Sequence, residues 1–219
     1  MFPEYRLTIW FTLYLCAVVL TQLLGSKTML WSFGDIDISV GMSILFIPFT
    51  LSMGEVVYEI YGQARANAFL LAGVCATLFV IVLSALAVVL PASAAFGSGQ
   101  EAYRLTFGGS MRFAITSLLS FFCLQVIDLW CFATLKQRCV HCPLWVRLLL
   151  SAFAALFVDT LIFTLVDHAR SGVPVVQNVK IISAIFFPYV LVRWMVSWIG
   201  IPLAYVGQRF LSLSSSSTS

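Results

Sequence analysis

Ile38-Ser39-Val40-Gly41-Met42-Ser43-Ile44-Leu45-Phe46-Ile47-Pro48-Phe49-Thr50-Leu51-Ser52-Met53-Gly54-Glu55-Val56-Val57-Tyr58-Glu59-Ile60-Tyr61-Gly62 decides the fold. Residues 38–47 are an apolar run, and a helix that continues from them carries Glu55 and Glu59 toward or into the hydrocarbon layer. An acid at the centre of a spanning helix costs roughly 2.5 to 3.5 kcal/mol on insertion scales, so such a residue is read as functional, with a partner or a water-filled cavity nearby. Glu55 and Glu59 are four residues apart and share one helix face, with Tyr58 beside Glu55 and Gly62 closing the run. Two acids and a phenol therefore stand at one mouth of a cavity.

The rest of the chain agrees with a membrane setting. Of 219 residues 61% are hydrophobic and only 10% charged, against about 25% charged in soluble domains. The length allows about six spans of ~20 residues with short connections. The expected fold is an all-α integral membrane protein, a six-transmembrane-helix bundle with a central polar cavity. Residues 1–211 are expected to form one six-helix integral membrane domain and 212–219 a disordered Ser-rich tail. The net charge of +3 is small and the basic residues are dispersed, which indicates neither nucleic acid nor a polybasic lipid patch.

Residues 7–24 exceed a signal-peptide core and form span 1. Gln22 lies near its end, and Lys27 either anchors at the interface or turns inward. The loop at 31–37, with Gly34, Asp35 and Asp37, reads as solvated. Span 2 covers 38–61, where Pro48 in the interior predicts a kink beside the cavity. Span 3, 66–90, reads as scaffold. The loop at 92–112 reads as a surface loop or lid, since Phe107-Gly108-Gly109-Ser110 lacks the context of a phosphate cradle.

Spans 4 (113–135) and 5 (144–166) each carry one carboxylate, Asp128 and Asp159. Ser120, Phe122, Asp128 and Phe132 align with Ser151, Phe153, Asp159 and Phe163 at an offset of 31 residues. In antiparallel spans this puts the two acids roughly 6 Å either side of the bilayer centre, at about 1.5 Å per residue. They then serve opposite sides of an alternating-access cycle or accept hydrogen bonds from neighbouring hydroxyls.

After the loop at 167–180, span 6 (181–205) contains Pro188, Pro202 and a central Arg193, which must pair with an acid: Asp128, Asp159 or Glu59. Cys139-Val140-His141-Cys142 is the one compact cluster of metal-ligand type, and without a second ligand pair it reads as a loop with incidental cysteines, so no metal and no cofactor are expected. Arg6, Arg65, Lys136, Arg138, Arg147 and Arg209 fall on the side of the termini, against Lys27, Arg104, Arg112, Arg170 and Lys180 on the other, which places both termini in the cytoplasm.

At Glu55-Val56-Val57-Tyr58-Glu59-Ile60-Tyr61-Gly62, preceded by Ile47-Pro48, the chain resembles the queuosine precursor transporter family, also described as the vitamin uptake transporter family. Lys27, Phe107-Gly108 with Ser110 and Arg112, Gln125 with Asp128, and Asp159-Thr160 with Phe163 extend the resemblance over residues 20–163. Glu55 and Gln22 stand where the family pattern has Asp and Asn, each one methylene longer. The resemblance implies a six-helix bacterial inner-membrane importer of 7-deazaguanine bases such as preQ0, preQ1 or queuine. A guanine-like edge presents adjacent N–H donors that a carboxylate accepts in pairs. Glu59 is the first choice for that role and Asp128 the second, with Glu55, Asp159 and Tyr58 in the same candidate set. Gln22, Gln125 or Lys27 would meet the carbonyl edge, and Phe49, Tyr58, Phe122 and Trp130 offer stacking faces. Arg193 and Lys27 are candidates for an ion pair or relay. The second reading is a substrate-binding subunit served by a separate ATPase, because the chain has no GxxxxGK[ST]. A third, a membrane enzyme, lacks any nucleophile and base pattern.

Overall fold

The computed structural model describes every residue except 1–2, 26, 34–35, 94–95, 97–98, 108–110, 140, 169–174 and 216–219. In order come α1 (Pro3–Leu24), β1 (Thr28–Phe33), β2 (Ile36–Gly41), a 3-10 turn (Met42–Leu45), α2 (Ile47–Tyr61), α3 (Gln63–Val89), α4 (Gly99–Phe107), α5 (Met111–Arg138), α6 (Leu144–His168), α7 (Val175–Ser197) and α8 (Gly200–Ser215). Six stretches among the described residues are long and apolar enough to cross a membrane, so the chain is an all-α membrane bundle.

At the centre stands α2, which touches α1, α3, α5, α6, α7 and α8. Its middle is almost wholly buried, Glu55 included, whereas α3 turns Leu71, Phe79, Val82 and Leu86 outward, as a lipid-facing scaffold helix does. The main core gathers Trp10, Tyr14 and Val18 of α1 with Met53, Val56 and Val57 of α2 and Phe69 of α3. The Trp10 indole N–H donates to the Met53 carbonyl at 3.2 Å and pins α1 to α2. Gly62, at φ +82°, makes the turn into α3 that a side-chain-bearing residue would resist.

Several expected boundaries move. Span 2 does not begin at Ile38: β1 and β2 pair antiparallel, Thr28 opposite Gly41 and Phe33 opposite Ile36, where a solvated loop and a helix start were expected. The alternation Ile36-Asp37-Ile38-Ser39-Val40 is the period of a strand, and Val40 packs with Ile44, Val192 and Val196. Pro48 makes no kink. It is the second residue of α2, where a missing N–H leaves no hydrogen bond unmade.

The helix break falls instead in the last span, which is two helices joined at Trp198–Ile199. Pro202 has no N–H to give the Trp198 carbonyl, which accepts from Ile201 N at 3.1 Å instead. Pro188 lies inside α7 without ending it. The expected lid contains α4, held to the end of α3 by Gln100 Nε2, which donates to the Val88 and Leu90 carbonyls at 3.4 and 3.5 Å. Gly108-Gly109-Ser110 lies outside the described residues, as do 169–174 of the last loop and 216–219 of the tail. Helix α8 runs to Ser215, four residues past 211.

Candidate functional site

Polar side chains gather at four levels along one side of α5. From Ser117 to Lys136 is nineteen residues, about 28 Å at 1.5 Å each, close to the ~30 Å hydrocarbon thickness.

At the first level Ser117 donates to Gln22 Oε1 at 2.9 Å, so Gln22 is tied to α5. Lys27 is exposed beyond it, in the interfacial position rather than the inward one. At the second level Asp159 accepts from Ser120 and forms an ion pair with Arg193. The Arg193 guanidinium also donates to Thr160 Oγ1 at 3.1 Å and lies 5.5 Å from the Tyr189 ring. Of the three acids open to Arg193, Asp159 is the one it meets.

The third level holds Glu55, Gln125, Asp128 and Ser151, all buried. Ser151 donates to Glu55 Oε1 and also faces the Asp128 carboxyl. A hydroxyl has one hydrogen, and this one has the Leu148 carbonyl at 3.0 Å as a further acceptor. Asp128 Oδ1 and Gln125 Nε2 are buried without a hydrogen-bond partner among the described residues, one acceptor and one donor. Both residues line a cleft of about 230 Å³ with Tyr14, Gly54, Glu55, Ala66, Phe69, Leu70 and Leu129. Once atomic radii are allowed for, its free space holds about one water molecule.

At the fourth level Glu59 is gripped by two cations. Arg147 meets it as a fork, Nη1 to Oε2 at 3.2 Å and Nη2 to Oε1 at 3.3 Å. Lys136 Nζ sits 3.1 Å from Oε2 and donates to the Glu59 carbonyl at 3.0 Å. Tyr58 packs edge-on against Phe132 at 5.9 Å, with Lys136 Nζ 5.5 Å from its ring.

The second and third levels share one cause. Ser120 precedes Asp128 by eight residues and Ser151 precedes Asp159 by eight. In the antiparallel α5–α6 pair, each serine therefore comes opposite the other helix's acid. The two rungs are about 12 Å apart, the separation expected from the sequence offset.

Two parts of the sequence reading are reassigned by packing. Phe49, Phe122 and Trp130 lie on the outer surface, because their helix positions face away from the cleft; Tyr14 and Phe69 are the aromatics that line it. Glu55 and Glu59 share a helix face but not an environment, since only Glu59 reaches Lys136 and Arg147. Sequence reasoning used those two cations for orientation and missed them as partners. It also missed Tyr14, whose signal was the Trp10-Tyr14-Val18 spacing of one buried helix face.

Cys139 and Cys142 are free thiols in the α5–α6 turn, with Val140 between them outside the described residues. A hydrogen bond with Cys139 is the main cause that raises the Cys142 thiol above its ordinary range. No group of three His, Cys, Asp or Glu among the described residues is placed to hold a metal.

Six spans enclosing a level of buried, partly unpaired polar groups define a multi-pass membrane protein with an internal site. Residues 41–207 match the family described as "Putative vitamin uptake transporter", and the chain belongs to that family. Comparison with curated proteins and with solved structures returns no match.

Proposed function

We propose that the chain imports a queuosine precursor, a 7-deazaguanine base such as preQ0, preQ1 or queuine, across the bacterial inner membrane by alternating access. The observation that carries this reading is the third level: an unmet acceptor on Asp128 and an unmet donor on Gln125, buried side by side three residues apart on α5. A guanine-type edge supplies the complementary pair, N–H donors for a carboxylate and a carbonyl for an amide N–H. Glu55, one turn from Glu59 on α2, faces the same cleft and completes an acidic wall. Glu59 has both oxygens engaged, so in this reading it holds the cytoplasmic end of the bundle shut, while Asp159 with Arg193 and Gln22 with Ser117 hold the other.

The free space of the cleft, about one water molecule, is far below the ~300 Å³ at which ligand pockets begin, so in this reading the structure is an occluded conformation and a base enters only after the helices part. Six spans put both termini on one side, and the basic α5–α6 turn supports taking that side as the cytoplasmic one.

The test is uptake of labelled preQ1 and queuine, separately, by cells that cannot make queuosine, with and without this chain. Accumulation that depends on the chain supports import, and the ratio identifies the base. No accumulation with the protein in the membrane refutes import by the chain alone. Recovery on supplying an ATPase partner would then favour the substrate-binding-subunit reading.

A further inference from the structure

We infer that Tyr14 is a substrate-recognition residue, its phenol hydroxyl reserved for a polar atom of the transported molecule. The inference rests on the cleft being the substrate site and adds to it a point of contact from α1.

Tyr14 is 1% exposed, and its hydroxyl has no hydrogen-bond partner among the described residues. An unpaired hydroxyl inside an apolar bundle is destabilising, and phenylalanine would fill the same volume without that penalty. The ring is held in place: it packs against Phe69 at 5.4 Å between centroids, and Phe69 is held in turn by Phe11 at 4.9 Å. The protein also keeps room for the oxygen. A Cβ at Gly73 would stand 2.3 Å from the Tyr14 hydroxyl, so only a glycine on α3 leaves space for it.

Tyr14 is among the residues that line the cleft together with Gln125 and Asp128 of α5. Three residues that line one cleft, from two helices, thus each carry an unmet polar atom: a donor on Gln125, an acceptor on Asp128 and, on Tyr14, a group able to act as either. A flat nitrogen heterocycle with an amide-type edge and a further ring nitrogen has the matching set. A purely apolar molecule would leave all three unmet.

The test compares wild type with Tyr14→Phe, both purified in detergent, by equilibrium binding of labelled preQ1 and by thermal unfolding without ligand. The expected result is binding about three- to tenfold weaker in the variant, as for loss of one hydrogen bond, with a melting temperature equal to or above that of wild type. Equal affinity in the two proteins overturns the inference and leaves the transport reading intact. A clearly lower melting temperature in the variant also overturns it, since the hydroxyl then serves the protein's own fold. Failure of preQ1, preQ0 and queuine to bind wild type removes the queuosine-precursor reading, and the inference falls with it.

Discussion

Replacing Arg193 by Met removes the only cation that Asp159 meets among the described residues and leaves the carboxylate with Ser120 alone. Both charges are buried, so solvent cannot take over. Breaking one side of a buried pair typically costs about 3 to 5 kcal/mol, because a charge is left uncompensated. At about 2 to 4 °C per kcal/mol for a protein of this size, Arg193→Met should lower the melting temperature by roughly 6 to 20 °C. Removing both charges, in Asp159→Leu with Arg193→Met, removes the desolvation cost of each, and such double replacements are often neutral or stabilising. The double variant should therefore melt closer to wild type than either single variant does. The assay is thermal unfolding in mild detergent followed by size-exclusion chromatography, arranged as a double-mutant cycle. If Arg193→Met melted within about 2 °C of wild type, or the double variant fell below both singles, the reasoning from an isolated buried charge would be wrong.

Other outcomes follow from the remaining levels. On the proposed function, Asp128→Asn turns an unmet acceptor into a donor toward the base, and affinity should fall about ten- to a hundredfold, as for a hydrogen bond to a charged group; titration of the purified variant with preQ1 measures it. Glu59→Gln loosens the grip of Lys136 and Arg147 at one end of the bundle without touching the cleft lining. Uptake rate should fall severalfold while binding changes less than about threefold, and equal losses in both would place Glu59 on the substrate instead. Cys142, its thiol raised by Cys139, has less thiolate at neutral pH than a free cysteine. Its labelling by an impermeant maleimide should be slow near pH 7.5, climb as the pH rises past the ordinary thiol range and, on the proposed orientation, occur only from the cytoplasmic face.

Composition carried the class of fold, because hydrocarbon solvation acts on every residue in a span and needs no tertiary information. The pairing of Arg193 with an acid was legible for the same reason, but its choice of Asp159 depends on how far α7 slides along α6. The offset between the Ser-Asp patterns of spans 4 and 5 had a direct physical meaning, since equal spacings in antiparallel neighbours bring each serine to the other helix's acid. Proline was less legible. Pro48 and Pro202 look alike in an apolar run, and only the start of α2 shows that one is harmless while the other accompanies a break. The distinct settings of Glu55 and Glu59 were hidden as well, because their difference is made by Lys136 and Arg147, about eighty residues away in the chain.

The exchange of serines and acids between α5 and α6 also bears on how the protein is made. Each helix alone would present a mid-span aspartate to lipid, at roughly 2.5 to 3.5 kcal/mol on the scale set by the translocation machinery. The serine that stands opposite each one lies on the other helix, across a turn of five residues, 139–143. Neither helix carries the serine that stands opposite its own acid, and the hairpin is the smallest piece that brings each acid to the other helix's serine. The α5–α6 hairpin, rather than either helix alone, is therefore the more favourable unit for entry into the bilayer.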